Sequence, residues 1–303
     1  MGTRHFKSLL DINRKEFLRI LDRSLELKKL SHDNHLPNSL SKKTLALIFK
    51  KNSTRTRVSM ETAINKLGGN VVFISHLTSQ IARGESIKDT GRVLSGMVDF
   101  IAIRTHEHSE LLDLCEVSSI PVINALTQKF HPCQLLADML TFYEEKGEFE
   151  GKTFSWVGDG CNMCNSYINA SKILRFNLKI ATPNGFEPDT SVLNSSTDTV
   201  ELCDLPGKAV ENSDLVTTDV WTSMGDEEDH ERRKVLFKGY QINQNIMDKA
   251  NKDAIFLHCL PAHRDEEVTP EVIDGPNSRV WEQSHNRLYT TQALLEFLKE
   301  VNA

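Results

Sequence analysis

The chain has 303 residues, of which 39% are hydrophobic and 26% charged, and its formal net charge is −6 at pH 7. This composition is typical of a globular protein with room for two domains, and the negative charge excludes a general attraction to nucleic acid or anionic membranes. No apolar run reaches membrane-spanning length, and the N-terminus lacks a signal-peptide core. We therefore expect a cytoplasmic protein whose six cysteines are free thiols.

Strand-like and helix-like segments alternate along the first half of the chain. The pattern predicts strands at residues 44–49, 71–74, 100–103 and 121–124. Such alternation is typical of a parallel sheet with helices on both faces. A further helix is expected after Pro132, and the polar residues 144–148 then indicate a domain boundary.

The second half of the chain repeats this pattern. Strands are predicted at residues 153–157, 178–181, 215–217 and 254–257. The expected fold class is α/β, with two doubly wound parallel-sheet domains at residues 1–147 and 148–303. A C-terminal helix, at about residues 290–303, is expected to pack back on the first domain. Open sheets bind ligands beyond the carboxyl ends of their strands, so we expect the active site in the cleft between the domains.

An arginine-rich segment stands between a predicted strand and a predicted helix. Residues 53–57 read Ser-Thr-Arg-Thr-Arg. Backbone N–H groups at a helix start have no intrahelical partner, and the helix dipole favours an anion there. Arg55 and Arg57 add guanidinium groups, which suit phosphate oxygens. Because two arginines in a first turn oppose the dipole unless an anion is present, the segment favours a phosphate site over an ordinary helix cap.

Two more polar segments follow predicted strands of the first half. Arg104 comes directly after the strand at residues 100–103, and alone it reads equally as a surface arginine. His131 and Gln134 flank Pro132, a residue that suits the first turn of a helix. The pair predicts hydrogen bonds to a carbonyl oxygen or an amide group. A helix cap with a buried histidine fits the same residues equally well.

A glycine-containing turn follows the first predicted strand of the second half. Residues 158–160 read Gly-Asp-Gly, but the bulky Met163 and the missing third glycine argue against a dinucleotide site. Cys161 and Cys164 form a single C-x-x-C without the second ligand pair of a zinc site, so no metal is expected. A redox pair is the alternative, and Asn162 suits a polar small molecule.

Two further segments follow strands of the second half. Asp219, Ser223 and Met224 come after one strand, and residues 258–261 read His-Cys-Leu-Pro after another. A carboxylate that binds an ammonium group, together with backbone N–H groups for a carboxylate, suits an amino-acid ligand. Cys259, near an aspartate and arginines, predicts a partly ionised thiol, although a buried structural cysteine is the commoner case.

Together these segments resemble the carbamoyltransferase family. Residues 53–57 and 131–134 are similar to the family's paired carbamoyl-phosphate motifs. Residues 219–225 and 258–261 are similar to the ornithine branch in particular, because aspartate carbamoyltransferases share only the first pair. The likeness runs in the family's order from about residue 40 to residue 292.

The resemblance implies a role for each candidate residue. The implied phosphate contacts are Ser53, Thr54, Arg55 and Thr56, with Arg287 as a later arginine on the phosphate side. The implied carbamoyl contacts are Thr56, Arg104, His131 and Gln134, and the residues that close the carbamoyl pocket are Cys259 and Leu260. The implied ornithine contacts are Asn162, Asp219, Ser223 and Met224. Gln80 matches a position that reaches into a neighbouring subunit's site.

The implied reaction transfers the carbamoyl group of carbamoyl phosphate to the δ-amine of ornithine and gives citrulline and phosphate. The implied catalytic residues are Arg55, Arg104, His131, Asp219 and Cys259. No cofactor is expected, because the substrate is already an activated anhydride. Arginine biosynthesis is the expected direction, and a homotrimer the expected assembly. One departure stands at Cys161, where the family usually has a second asparagine beside the one that Asn162 matches.

Three alternatives stay open at the level of sequence. The first is a carbamoyltransferase for another amine, such as putrescine or an N-acylated ornithine. The second is a non-catalytic protein that binds carbamoyl phosphate. The third is a dinucleotide-dependent oxidoreductase, against which the incomplete glycine pattern argues. A substrate panel, a citrulline assay and a test of NAD binding separate these three classes.

Overall fold

The computed structural model describes residues 2–196, 198–222 and 229–303. Contacts within the chain define two compact units, the first comprising Met1–Leu140 and His285–Ala303 and the second comprising Thr141–Ser284. Both dividing points lie inside long helices that continue unbroken. The first of these helices ends at Lys146, one residue before the boundary that the sequence predicts.

The described residues form nine strands and twelve α-helices. The strands are β1 (Thr44–Phe49), β2 (Asn70–Ser75), β3 (Phe100–Arg104), β4 (Val122–Leu126), β5 (Thr153–Val157), β6 (Asn177–Ala181), β7 (Val200–Leu202), β8 (Leu215–Thr218) and β9 (Ile255–His258). The helices are α1 (Arg14–His32), α2 (Thr54–Lys66), α3 (Ile87–Ser95), α4 (His108–Val117), α5 (Pro132–Lys146), α6 (Asn162–Leu174), α7 (Thr190–Leu193), α8 (Pro206–Val210), α9 (His230–Phe237), α10 (Gln244–Met247), α11 (Pro270–Ile273) and α12 (Val280–Val301).

The first unit contains a parallel sheet with the strand order β2-β1-β3-β4. The chain adds β2 on one side of β1 and then β3 and β4 on the other, so the order reverses between β1 and β3. Open α/β sheets bind ligands at such a switch point. Phe49 pairs with Arg104 at the carboxyl ends of these two strands. The segments that follow β1 and β3 therefore leave the sheet side by side.

The second unit contains a parallel sheet with the order β7-β6-β5-β8-β9. Its order reverses between β5 and β8, which places the residues after Val157 next to those after Thr218. Thr218 also pairs with His258 at the end of β9. Asp219 and Cys259, the next residues along these two strands, are thus brought to the same edge of the sheet by register alone.

The central strands of both sheets are buried on both faces. All five residues of β3 and all four of β8 are buried. Ile101 and Ile103 pack in one cluster with Leu111 of α4, and Val216 of β8 packs in another with Ile273 of α11. Burying each such side chain contributes roughly 1.5–3 kcal/mol, so the strand ends are held on a stable platform.

The prediction of two parallel-sheet α/β domains is confirmed, with two differences in detail. Strand β7 was not predicted, because it is a short edge strand in which Glu201 and Leu202 are exposed. Helix α12 begins at Val280, well before the expected start near residue 290. Its first half is buried through polar side chains such as Gln283 and Asn286, which give no apolar periodicity. Among the described helices, none combines the length and hydropathy needed to cross a membrane.

Candidate active site

Helix α2 begins directly beyond the carboxyl end of β1. Ser53 is its N-cap, and the Ser53 hydroxyl accepts a hydrogen bond from the backbone N–H of Thr56 at 3.3 Å. Such a cap contributes about 1 kcal/mol and fixes the start of the helix. The first turn contains no acidic residue. The strand–helix junction therefore presents helix N–H groups without a carboxylate to neutralise them, as an anion site requires.

Two arginines from distant parts of the sequence converge on the hydroxyl of Thr56. Arg287 Nη2 donates to Thr56 Oγ1 at 2.7 Å, and Arg104 Nη1 donates to the same oxygen at 3.4 Å. Arg287 Nη1 also donates to Gln134 Oε1 at 2.9 Å, and Gln134 Nε2 donates to Asp138 at 2.9 Å. All five side chains are at least nine-tenths buried. The network holds both guanidinium groups in fixed positions at the start of α2.

His131 completes this group of residues. It is buried at the residue before α5, and burial lowers the pKa of His131 well below its ordinary value, with the charges of Arg287, Arg104 and Arg55 adding to the effect. The imidazole is therefore neutral at pH 7. A neutral ring donates or accepts one hydrogen bond at each nitrogen, which suits a polar carbonyl group. The three arginines that act on it define a local positive field in an acidic protein.

The remaining residues of the first-unit prediction lie nearer the surface. Arg55 is half-buried and Thr54 is exposed. Arg57, which the sequence suggested as a second anion ligand, donates to Glu61 at 2.7 Å and lies 3.5 Å from the centre of the Phe73 ring. Its guanidinium is thus engaged along the helix surface. Gln80 is exposed at the start of a 3₁₀ turn, Gln80–Arg83.

In the second unit, the Gly-Asp-Gly turn after β5 is shaped by close packing. Gly158 has φ +131°, and a Cβ there would lie 3.1 Å from the Thr218 hydroxyl. A Cβ on Gly160 would lie 2.3 Å from the backbone nitrogen of Pro188. A larger residue at either position would collide with a neighbouring strand or loop, so packing within the chain accounts for both glycines. Asp159 between them accepts a hydrogen bond from Arg233 at 2.7 Å.

A carboxylate lies between two thiols beyond this turn. Cys259 Sγ donates to Asp219 Oδ1 at 3.1 Å, and Cys161 Sγ, at the N-cap of α6, lies 3.8 Å from Asp219 Oδ2. Burial raises the pKa of Asp219 above its ordinary value, although the Cys259 thiol and the backbone N–H of Val220 oppose the rise. Cys259, which the sequence predicts to be partly ionised, thus has its sulfur within hydrogen-bond distance of the Asp219 carboxylate.

The C-x-x-C pair lacks the features of a redox centre. Cys161 and Cys164 are both free thiols. Burial raises the pKa of each thiol well above its ordinary value, and the charges of Asp219 and Asp159 add to the effect at Cys161. Redox-active thiols have the opposite environment, one that stabilises the thiolate.

The loop after β9 is held by a buried histidine. His258 Nδ1 accepts a hydrogen bond from the backbone N–H of Leu260 at 2.9 Å, and Nε2 pairs with Glu267 Oε1 at 3.1 Å. Because Nδ1 accepts in the first contact, the ring proton is on Nε2, which donates a hydrogen bond to the Glu267 carboxylate. Leu260 has φ +56°, a conformation that a branched side chain rarely adopts. The His258 contact stabilises this turn beside Cys259.

The structure groups the predicted site residues by unit. In the first unit it joins Ser53, Thr56, Arg104, Gln134 and Arg287 by hydrogen bonds, with Arg55 and His131 in the same electrostatic group. In the second unit it joins Asp219 with Cys259, with Asn162 at the first residue of α6 and Leu260 in the adjacent turn. Thr54 and Gln80 have no side-chain bond to these groups within the described residues. Ser223 and Met224 lie outside the described residues.

Two residues of these networks were missed from sequence. Asp138 follows Gln134 by one helical turn on α5, where a polar pair interrupts an apolar stripe, and this spacing was an available signal. Glu267 bonds His258 from the loop after β9, nine residues away. No helical or strand periodicity connects those two positions, so sequence offered no comparable signal for Glu267.

The two groups of residues support complementary chemistry. Buried arginines, a helix start and a neutral imidazole bind an anion and polarise a carbonyl group. A buried carboxylate with a raised pKa binds or deprotonates an amine. The fold and the site thus define a two-domain α/β protein equipped for group transfer from a phosphate-bearing donor to an amine.

Comparison with known proteins identifies the family. The carbamoyl-phosphate-binding domain of aspartate/ornithine carbamoyltransferase matches residues 4–144, and the family's Asp/Orn-binding domain matches residues 150–298. The chain belongs to the aspartate/ornithine carbamoyltransferase family.

Similar proteins come from the ornithine branch of that family. The ornithine carbamoyltransferase of Hydrogenovibrio crunogenus is 49% identical over 298 residues, which cover 98% of this chain and 99% of that protein. The structure of ornithine carbamoyltransferase from Pyrococcus furiosus has a TM-score of 0.93 at 42% identity, covering 97% of this chain and 96% of that one. The anabolic ornithine carbamoyltransferase from Campylobacter jejuni has a TM-score of 0.91 at 39% identity, covering 99% and 100%.

Proposed function

We propose that the protein is an ornithine carbamoyltransferase. It transfers the carbamoyl group from carbamoyl phosphate to the δ-amine of L-ornithine and releases L-citrulline and phosphate. The observation that carries the proposal is the convergence of Arg104 and Arg287 on Thr56 at the start of α2, beside the neutral His131. Family membership and the names of the similar proteins support the choice of substrates.

Carbamoyl phosphate is bound by the first-unit residues. The start of α2, with Ser53, Thr54, Arg55 and Thr56, receives the phosphate, and Arg287 adds charge on the same side. Arg104 and His131 donate to the carbamoyl oxygen, and Gln134 accepts from the carbamoyl amino group. Before the substrate enters, the network around Thr56 holds the arginines in place. Substrate binding then replaces part of that network.

The reaction is an acyl transfer in which atoms and charge balance. The neutral δ-amine attacks the carbamoyl carbon, a C–N bond forms, and the bond from that carbon to the phosphate oxygen breaks. Arg55 stabilises the charge that develops on the leaving phosphate. Arg104 and His131 stabilise the oxygen of the tetrahedral intermediate, and losing one such donor typically costs on the order of 10²–10³ in rate.

Ornithine is bound by the second-unit residues. Asp219 orients the amine and accepts its proton, and the Cys259 thiol, 3.1 Å from that carboxylate, fixes the orientation of the acceptor. Leu260 contributes its backbone carbonyl next to Cys259. Asn162, at the start of α6, contacts the amino-acid end of the substrate, and the proposal assigns Ser223 and Met224 to the same end.

The proposal extends to the biological setting of the reaction. We place the reaction in arginine biosynthesis, which the anabolic relative from Campylobacter jejuni supports. Six free thiols support a reducing, cytoplasmic location. No cofactor takes part in the proposed steps.

A homotrimer is the proposed assembly, with Gln80 reaching a neighbouring subunit's site. Exposed apolar side chains support a subunit contact near the edge strand β2, since Leu77 is 83% exposed and Val72 is 47% exposed. Light scattering should give a mass of three chains of 34.3 kDa each. A monomer at assay concentration contradicts this part of the proposal.

The deciding experiment is a steady-state assay with carbamoyl phosphate and a panel of amines. We expect citrulline from L-ornithine and little product from putrescine, N-acetylornithine or aspartate. Faster turnover of another amine overturns the substrate assignment, and no turnover of any amine favours a non-catalytic binding protein.

A matched pair of arginine variants tests the phosphate site. Arg55→Ala should lower turnover at least about a hundredfold, because it removes charge stabilisation of the leaving group. Arg57→Ala, two residues along the same helix, should stay near wild-type turnover because Arg57 is engaged with Glu61 and Phe73. Equal losses in both variants contradict the assignment of Arg55.

A further inference from the structure

A cluster of imidazole and carboxylate groups lies in the loop after β9, outside the residues assigned to substrate. His263 Nδ1, Glu266 Oε2 and Glu267 Oε2 come close together, with His263 Nδ1 at 3.9 Å from each of the two oxygens. Their ligand atoms all lie within 4.8 Å of one another. Cysteine spacing predicted no metal site, and it carries no information about this cluster of nitrogen and oxygen atoms.

Glu267 supplies the observation that separates this cluster from an ordinary surface ion-pair group. Its side chain is fully buried. Oε1 accepts hydrogen bonds from His258 Nε2 at 3.1 Å and from the backbone N–H of His263 at 2.6 Å. Oε2 has no hydrogen-bond partner among the residues that the structure describes, yet it faces His263. Buried carboxylate oxygens normally have a hydrogen-bond partner, so this oxygen is available as a ligand atom.

We propose that His263, Glu266 and Glu267 bind a divalent first-row transition-metal ion such as Zn²⁺. Nitrogen and carboxylate oxygen ligands bind Zn²⁺ at about 2.0–2.2 Å, which places neighbouring ligands of a tetrahedron about 3.4 Å apart. The 3.9 Å separations from His263 come within side-chain adjustment of that value. The mixed imidazole and carboxylate set favours a transition metal over Mg²⁺.

His230 lies beside the site, next to the other carboxylate oxygen of Glu266. Its Nε2 lies 3.5 Å from Glu266 Oε1, and its ring centre lies 6.2 Å from that of His263. Nδ1 of His230 lies 3.2 Å from the Thr222 hydroxyl oxygen, Oγ1. A histidine whose second nitrogen bonds a neighbouring group is typical of metal ligands, since that bond sets the tautomer. Lys234 occupies only Oε1 of Glu266, at 2.8 Å.

A second set of potential ligands, Asp219, His258 and Cys259, is a poorer candidate. Both ring nitrogens of His258 are engaged, one by Leu260 N–H and one by Glu267. A metal there would have to break one of these contacts. The proposed substrate groups Asp219 and Cys259 also belong to that set, so the two sets need to be separated by experiment.

Cobalt(II) titration of the full chain, freed of metal by a chelator, tests the proposal. Co²⁺ replaces Zn²⁺ in such sites and reports thiolate ligation through a charge-transfer band. We expect one ion per chain by calorimetry, ligand-field absorption without a thiolate band, and a melting temperature that rises with Co²⁺ concentration. His263→Ala and Glu266→Ala should each weaken binding at least about tenfold.

Control variants show which results would contradict the proposed metal site. His35→Ala, which removes an exposed histidine, and Cys259→Ala should both bind Co²⁺ as the wild type does. Because Glu267 is buried, Glu267→Gln is checked by circular dichroism, while the exposed His263 provides the test that does not disturb folding. Absence of binding by the wild type overturns the proposal. So does a thiolate band that disappears in Cys259→Ala, which would assign the ion to the other set. None of these measurements depends on turnover.

Discussion

The two units use opposite electrostatics at equivalent places in similar sheets. Beyond the switch point of the first sheet, burial lowers the pKa of the His131 imidazole, and the charges of three arginines add to the effect. Beyond the switch point of the second sheet, a buried carboxylate lies between two thiols, and its pKa is raised. Similar sheets thus carry opposite charge at their switch points, and these are the proposed anion site of the first unit and the proposed amine site of the second.

The two units differ in how their buried charged groups are stabilised. The arginines of the first unit keep their charge and hydrogen-bond to neutral acceptors, Thr56 and Gln134. The carboxylate of the second unit has weak thiol donors and one backbone N–H, so burial dominates. We therefore expect the first site to be arranged before substrate binds and the second to gain its strongest partner only from the substrate amine.

The largest expected effect tests the second site. Asp219→Asn should lower turnover by roughly 10²–10⁴, because it removes the proton acceptor. The same change should raise the free energy of unfolding at neutral pH. Because the folded-state pKa of Asp219 is raised, protonation favours the folded wild type, whose stability falls as pH rises through that pKa. The difference in free energy of unfolding between the variant and the wild type should therefore disappear at acid pH.

Urea unfolding at a series of pH values measures the change in stability, and a citrulline assay measures the change in turnover. Asp253→Asn is the control, since that exposed carboxylate pairs with Lys146 and its pKa is lowered. It should leave turnover unchanged and give no gain in stability. A loss of stability in Asp219→Asn at pH 7 would show that burial is not the dominant influence at this carboxylate.

A somewhat smaller effect is expected at the first site. Arg104→Leu should lower turnover by about 10²–10³ through loss of a donor to the carbamoyl oxygen. It should also raise the pKa of His131 toward its ordinary value, because one of the three charges that depress it is gone. Proton NMR of the imidazole measures that change. An unshifted His131 titration with normal turnover would contradict the common role of these two residues.

The smallest effect should come from the residue that departs from the family. Cys161→Asn places an amide donor where a thiol lies 3.8 Å from Asp219. A stronger hydrogen bond to the carboxylate should lower its pKa and change the KM for ornithine by about 2–10-fold, with the KM for carbamoyl phosphate unchanged. Cys203→Ala is the control, since that thiol lies near Glu201 on the edge strand β7. A change confined to carbamoyl phosphate would contradict the assignment of this position to ornithine.

Much of the fold was open to prediction because the central strands are buried on both faces. Residues 44–49 and 153–157 read as apolar runs and have the bounds of β1 and β5. Candidate residues followed from one rule, that ligands bind beyond strand ends, and this placed Arg104, Asp219 and Cys259. The edge strand β7 escaped because an exposed strand needs no apolar pattern.

The sequence by itself determined which residues leave each strand end, since these follow from local pattern and helix-start chemistry. Only the tertiary structure decided their partners. Arg287 bonds Thr56 across 231 positions of sequence, and Arg57, two residues from Arg55, bonds Glu61 on the helix surface. Glu267 was likewise brought to His258 by a loop. Such contacts depend on the positions of whole helices and loops, and local periodicity carries no record of those positions.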